Sequence, residues 1–338
     1  MADRPVHTIA DIARLAGVSK STVSRALNDS PLIGAETRER IHAIARAHNF
    51  QINAPARRLS MKQSRTIAFV THPYHQEKGF CLDDLFMLEI LGAISRGLAQ
   101  DHYDLLLAFV DPRDTDWPER YINTGRADGF ILMTSSRKEY HIKALVDMQA
   151  PFIVWGSPNP KYAYCSVIGD NYSGGKLAAE HLIRTGRKQI AFIGGPAYEL
   201  EVQKRYAGFE TALQANGQQV NPELITYGEF SNESGAERTR QLLDQHPEID
   251  AIFANSDFMA LAAIKVIHAR GLRVPEDVAV VGYDNLTLAE ESSPALTSVS
   301  QNIPLAGKLL AQNLIQYLQT GVITNVSIPA EVVIRASA

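Results

Sequence analysis

Apolar positions in the first fifty residues recur at helical spacing. Thr8 stands where a helix cap belongs, Ile9, Ile12, Ala13 and Ala16 follow on one face, and Gly17 ends the run at a position suited to a left-handed residue. Ser19 then caps a second short helix, KSTVSRALN, which turns Val23, Ala26 and Leu27 inward. Its remaining surface is polar: Lys20, Ser21, Thr22, Ser24, Arg25 and Asn28. A third helix is expected from about Glu36 to His48, with Ile41, Ile44 and Ala45 inside. Two short helices joined by a glycine-containing turn and braced by a third make a helix-turn-helix, whose second helix enters a major groove. A plain structural three-helix bundle is the alternative, but it leaves the hydrogen-bonding face of the second helix unexplained.

From Thr66 onward the pattern changes. TIAFV, YDLLLAFV, GFILM, FIVWG, QIAFIGG, AIFAN and VAVVGYD read as buried strands, and IPAEVVIR as a strand near the end. Segments such as LFMLEILGAISRGLAQ, KLAAEHLIRTG, RYAGFETALQANG and ALAAIKVIHARG read as helices between them. Strands alternating with helices imply parallel sheets covered on both faces, and the length accommodates two such units. Ligands bind such sheets beyond the carboxyl ends of the strands, so the residues just after each strand are the candidates for chemistry.

Charge divides the chain in the same place. Residues 1–65 hold eleven Lys/Arg against five Asp/Glu, a net +6, whereas the whole 338-residue chain is −4 and the remainder therefore −10. A basic head on an acidic body suggests an anionic partner for the head alone, with a merely solvated basic face as the alternative, and with Phe50 its only aromatic, stacking on single-stranded bases is disfavoured. Cys81 and Cys165 are too few and too far apart for a disulfide scaffold and read as reduced thiols. No apolar run approaches the roughly 20 residues of a membrane span, and the charged start MADRPVHTIADIARLAG does not suit a signal peptide, so a cytoplasmic protein without a membrane partner is expected.

The stretch TIADIARLAGVSKSTVSRALN, followed by ETRERI and NAPARRL, closely resembles the head of the LacI/GalR transcriptional regulators. The resemblance puts Lys20 and Ser21 at base edges with Arg25 beside them. It gives Thr8, Ser19, Thr22, Ser24, Asn28, Thr37 and Asn53 to phosphate contacts or helix caps. Elementary chemistry agrees, since Lys and Arg can donate to guanine O6 and N7 while hydroxyls hold phosphate without reading sequence. NAPARRL is too short to be a stable helix alone. By the resemblance it is a hinge that folds on DNA, with Ala56 allowing close approach and Leu59 wedged into the minor groove. Read without the family, MKQSR after it is a polar linker and Leu59 a stray apolar residue at its edge.

The same family and its periplasmic-binding-protein-like core are resembled by GDNYSGGKLAAEHLIRTGRKQIAFIGGP, RYAGFETAL, SDFMALAAI and VPEDVAVVGYDN. Carried over by position, Phe86, Trp155, Arg205, Phe230 and Asp284 fall in an effector cleft between two lobes, with Asn255, Ser256 and Asp257 on one wall. Arg205 and Asp284 can each bind vicinal hydroxyls, and the rings of Trp155 and Phe230 suit the C–H face of a sugar. As alternatives, Trp155 and Phe230 are core aromatics and Asp284 caps a strand. The chain departs from the family at Gly156-Ser157-Pro158, where many members carry an acid or Asp-Arg.

The expected architecture is a small all-α helix-turn-helix domain (1–50), a hinge and linker (51–65), and a two-lobed α/β core with parallel sheets (66–338). Its first lobe spans about 66–165 and 296–325, and its second about 166–295 and 326–338. The expected function is a repressor of carbohydrate-utilisation genes that binds a pseudo-palindromic operator on double-stranded DNA as a homodimer and is released by a mono- or oligosaccharide. The absence of a leucine-heptad tail after IPAEVVIR implies no larger assembly. Alternatives are corepression by a ligand such as a purine, or a sugar-processing enzyme fused to a DNA-binding head. An enzyme is disfavoured because GxxxxGK[ST], GxGxxG, HExxH and GxSxG are all missing, and no cofactor is implied. His72 and His75 lack a third ligand nearby, so no metal site is expected.

Overall fold

The computed structural model describes residues 8–27, 30–50, 63–71, 85–111, 114–133 and 139–338. Contacts divide the chain into two compact units, Met1–Ser64 and Arg65–Ala338.

The first unit holds α1 (Ile9–Ala16), α2 (Lys20–Leu27) and α3 (Ala35–Ala47). Thr8 and Asp11 form a reciprocal capping box, and Gly17 ends α1 at φ 66°, where a side chain would be strained. Ile12, Ala13, Ala16, Val23, Ala26, Ile41 and Ala45 make its core. The third helix starts one residue ahead of the expected Glu36, at an N-cap glycine that offers no side-chain acceptor.

The second unit contains two six-stranded sheets. The first is ordered β11-β5-β4-β3-β1-β2 and the second β12-β10-β9-β8-β6-β7. In chain order these are β1 (Thr66–Thr71), β2 (Asp104–Phe109), β3 (Gly129–Met133), β4 (Phe152–Trp155), β5 (Cys165–Gly169) and β6 (Ile190–Gly194). They continue with β7 (Ile225–Tyr227), β8 (Ala251–Ala254), β9 (Ala279–Asp284), β10 (Thr297–Ser300), β11 (Asn325–Ile328) and β12 (Glu331–Val333). All pairings are parallel except β10 with β12. Alternation along β1 sends Ile67 and Phe69 to one apolar layer and Ala68 and Val70 to the other, as both-face burial requires.

Helices α4 (Leu85–Gln100), α5 (Trp117–Ile122), α6 (Glu139–Asp147) and α12 (Ile303–Thr320) cover the first sheet. Those on the second are α7 (Asn171–Arg184), α8 (Leu200–Ala215), α9 (Asn232–Gln245), α10 (Asp257–Ala269) and α11 (Thr287–Glu291). Each lobe has a helix crossing too close for a side chain. A Cβ on Gly307 would lie 2.4 Å from that of Ala93 between α12 and α4, and one on Gly175 would lie 1.9 Å from the Arg205 carbonyl between α7 and α8.

Three expectations change. YDLLLAFV does not form a buried strand: β2 is a sheet edge that leaves Leu107 and Phe109 exposed. IPAEVVIR is not one strand: β11 and β12 lie in different sheets, parted at Pro329, which has no N–H for a ladder. The lobe boundaries move accordingly. Cys165–Gly169 and Asn325–Ile328 complete the first sheet, and Thr297–Ser300 belongs to the second. The chain thus passes between lobes at Asp170, Gln301 and Pro329. The first and third passages are tied by Asp170 N–H donating to the Ile328 carbonyl at 2.8 Å.

Candidate functional site

The polar face expected to read DNA lies on α2. Ser19 Oγ accepts from Thr22 N–H at 3.1 Å and lies 2.7 and 2.8 Å from the hydroxyls of Ser21 and Thr22. This cap fixes the helix start. Lys20, Ser21 and Arg25 are exposed, Thr22, Ser24 and Thr37 half-buried, and Val23 and Ala26 buried beneath them. Thr8 and Ser19 therefore act as caps. Two residues that the sequence did not single out brace the motif. His42 Nε2 lies 3.2 Å from the Ala26 carbonyl, and Arg38 Nη2 donates to the carbonyls of Ser30 and Ile33 at 3.2 and 2.9 Å. Asn28, Asn53, Ala56 and Leu59 lie outside the described residues, as do His72, His75 and Cys81.

In the second unit the candidate residues gather at the carboxyl ends of the strands. Arg205, on α8, is 5% exposed. Its Nε donates to Asn171 Oδ1 at 2.8 Å, its Nη1 to the Asn255 carbonyl at 2.6 Å, and its guanidinium lies 3.7 Å from the centre of the Tyr283 ring. Tyr283 also donates to Asn171 Oδ1, at 3.4 Å, and burial pushes its hydroxyl up to about 12, so it stays protonated. The glycine pair at the start of α7 makes this possible. A Cβ on Gly174 would strike the Tyr283 hydroxyl at 2.4 Å, and one on Gly175 would strike the backbone of Arg205.

Asp284 ends β9 beside Tyr283 with φ 110°, a conformation an aspartate adopts only under constraint. Gln301 Nε2 donates to its Oδ1 at 2.6 Å, which links the carboxylate to the second passage between lobes. Gly169, in the first passage, packs against that same glutamine, 2.9 Å from its Oε1 if a Cβ were present.

Asn255 is fully buried, and neither its amide nitrogen nor its amide oxygen has a protein partner. Its neighbours on the expected wall differ. Ser256 caps α10 by accepting from Met259 N–H at 3.3 Å. Asp257 is fully buried and spends both oxygens inside the protein, on the Ser298 hydroxyl at 2.5 Å and on Leu286 N–H at 2.7 Å. Burial pushes the Asp257 carboxyl up to about 7, against the pull of those two bonds.

The first lobe contributes rings. Phe86 and Trp155 lie 6.4 Å apart at 44°, and Trp155 also belongs to the first lobe's apolar layer. Phe230 is half-buried on the second lobe, seated on Gly195, where a Cβ would meet the ring at 2.3 Å. Asp170, a further acid near the strand ends, caps α7 through Ser173 N–H at 3.0 Å. Among the described residues no group of His, Cys, Asp and Glu is placed to hold a metal ion, and no helix is long and apolar enough to cross a membrane.

Residues 8–53 match the model of bacterial regulatory proteins of the lacI family, and residues 179–338 match a periplasmic binding protein-like domain. The chain is 35% identical over 313 residues to the HTH-type transcriptional regulator CelR of Thermobifida fusca, covering 91% of each protein. It is 31% identical over 321 residues to the HTH-type transcriptional repressor PurR of Aliivibrio fischeri, covering 92% of each. Among solved structures it resembles a CelR–cellobiose complex, at TM-score 0.74 and 32% identity over 99% of this chain and 100% of that one. It also resembles a lac repressor dimer bound to operator and the anti-inducer ONPF, at TM-score 0.84 and 28% identity over 99% of each chain. With a helix-turn-helix reading surface, a two-lobed core and relatives along nearly its whole length, the chain belongs to the LacI family of transcriptional regulators.

Proposed function

We propose that this regulator is a dimeric repressor whose operator affinity is set by a neutral, sugar-like effector held between the lobes of its core. The observation that carries the reading is the buried, unpartnered amide of Asn255, beside the hydrogen-bonded Arg205 and one strand end from Asp284. An amide offers one acceptor and two donors, which suits hydroxyls that both give and take a hydrogen bond. Leaving both ends unmade in a buried site costs about 1–3 kcal/mol each, and a polyol would satisfy them. Arg205 and Asp284 bring opposite charges that offset each other, which suits a neutral ligand with many hydroxyls better than an anion. The identity with CelR, whose structure is a complex with cellobiose, supports a disaccharide of that kind.

In this reading Lys20, Ser21 and Arg25 contact base edges, while Thr22, Ser24, Asn28, Thr37 and Asn53 face the phosphates. Ala56 and Leu59 serve a hinge that inserts into the minor groove. Arg205, Asn255 and Asp284 bind hydroxyls, and Phe86, Trp155 and Phe230 cover the apolar face of the sugar. Ser256 and Asp257 shape the wall rather than touch the ligand, because their oxygens are already engaged.

A thermal-shift screen of glucose, galactose, cellobiose, longer cello-oligosaccharides and purine bases tests the ligand class. A ligand at 100 times its dissociation constant adds about 2.7 kcal/mol of stability. A response to cellobiose or its relatives is expected, and a response confined to the purines would replace the sugar by a corepressor.

A further inference from the structure

The loop Gly156-Ser157-Pro158, where the family's acid is missing, makes polar contacts of its own. Ser157 N–H donates to Glu201 Oε1 at 3.1 Å, and Lys204 Nζ donates to Ser157 Oγ at 3.3 Å. Ser157 belongs to the first lobe, and Glu201 and Lys204 to α8 of the second, so these bonds cross the cleft. A third bond crosses it elsewhere: Thr287 N–H, from the second lobe, donates to Glu89 Oε1 on α4 of the first, at 2.9 Å.

The two contacts are the same device with the lobes exchanged. Ser157 follows β4 and Thr287 follows β9, each the third strand in the order of its own sheet. Glu201 lies on the helix after β6 and Glu89 on the next described helix after β1, each the fifth strand. In both, a glutamate accepts from a backbone N–H just beyond a strand end of the opposite lobe, in a loop at Ser157 and at the start of α11 at Thr287. Both loops leave their strand through a left-handed residue, Gly156 at φ 141° and Asp284 at φ 110°. Leu286, next to Thr287, is buried in the first lobe's apolar layer, so the second contact is also anchored by packing.

We infer that Glu89 and Glu201 are positioning residues for the effector cleft, paired clasps that set how tightly the two lobes close on each other. Each glutamate contributes one charge-assisted hydrogen bond from a half-buried carboxylate, and Lys204 adds its own bond to Ser157. One such bond shifts the ratio of closed to open forms roughly tenfold, strong enough to bias closure and weak enough to yield to a ligand. The inference holds whatever the ligand is, because it concerns the protein's own contacts.

Trp155 provides the readout. It sits immediately before the Ser157 loop and is 8% exposed, while Trp117, the other tryptophan, is fully buried within the first lobe. Acrylamide quenching of the full-length protein is measured for wild type, the double variant Glu89→Ala/Glu201→Ala and the double variant Glu89→Gln/Glu201→Gln. The alanine pair is expected to raise the quenching constant about twofold as the open form becomes populated, and the glutamine pair, which keeps an acceptor oxygen at each site, to stay near wild type. Wild-type quenching in the alanine pair, or equal increases in both pairs, would overturn the clasps. Amide exchange at Ser157 and Thr287 of the wild-type protein gives a second test that needs no variant. Slowed exchange at both is expected, and exchange at the rate of an unprotected amide would overturn the inference.

Discussion

The two lobes meet the cleft with different chemistry. The second lobe presents a connected polar group in which Arg205 is held by Asn171, the Asn255 carbonyl and the Tyr283 ring, and Asp284 is held by Gln301. The first lobe presents Phe86 and Trp155, rings tied into its own apolar layer. A network whose members each need a partner at a set distance recognises the arrangement of donors and acceptors, whereas a ring face tolerates many ligands. If the proposed function holds, selectivity belongs to the second lobe and affinity without selectivity to the first. Substitutions on the two sides should have different signatures.

The largest effects fall on the helix crossings. Gly175→Ala forces α7 from α8 at the point where Arg205 is anchored, and we expect a loss of about 3 kcal/mol in unfolding stability together with loss of the effector response. Gly307→Ala, at the matching crossing of the first lobe, should cost a similar amount while the surviving folded protein keeps its effector affinity. Denaturant unfolding paired with ligand titration separates the two, and equal losses of affinity would erase the contrast.

Arg205→Ala comes next. It removes the donor to the Asn255 carbonyl and leaves Asn171 Oδ1 only the longer bond from Tyr283, with an expected destabilisation of about 2 kcal/mol. Calorimetric binding should be lost, and Arg205→Lys should not restore it, since an ammonium cannot reproduce the flat stack on Tyr283.

Asp257 adds a dependence on pH in the second lobe. Its native carboxyl titrates near 7, well above the unfolded value, so between about pH 4 and 7 the native state keeps a proton that the unfolded chain releases. Its contribution to stability is full below that window, falls as pH rises through it and is constant above. Melting temperatures across the window should show this slope in wild type and lose it in Asp257→Asn, and an unchanged slope would remove the carboxyl from the account. The smallest effect is expected from Trp155→Leu, with sugar affinity falling about fivefold and the order of preference among sugars unchanged. A reordered preference would place selectivity in the first lobe as well.

The head was the most legible part of the sequence because its contacts are local. Spacing alone places Ile12, Ala13, Ala16, Val23 and Ala26 in one core and leaves Lys20, Ser21 and Arg25 outside. In the core, alternating strands and helices were readable, but an apolar run does not distinguish the edge strand β2 from a central one, and IPAEVVIR hid a change of sheet at Pro329. The resemblance puts Asp257 on the cleft wall, but nothing in the sequence signals its bonds to Ser298 and Leu286, which lie far along the chain. Tyr283 and Gln301 went unnoticed because their partners, Arg205 and Asp284, are distant in sequence or masked by a neighbouring motif. A usable signal did exist. Gly174 and Gly175 adjoin inside a helix, where glycine is costly unless something must approach closely, and what approaches is Tyr283 and Arg205.

The proposed function makes Asp284, held by Gln301 at a passage between the lobes, an effector-binding residue, and one measurement tests that most directly. Operator affinity is determined for wild type and Asp284→Ala, with and without the sugar that most raises the wild-type melting temperature. The wild-type affinity should fall about 5–150-fold on adding sugar, and the variant should bind operator as tightly as wild type and ignore the sugar. A variant that still responds, or that loses operator affinity before any sugar is added, would contradict the assignment of Asp284 to effector sensing.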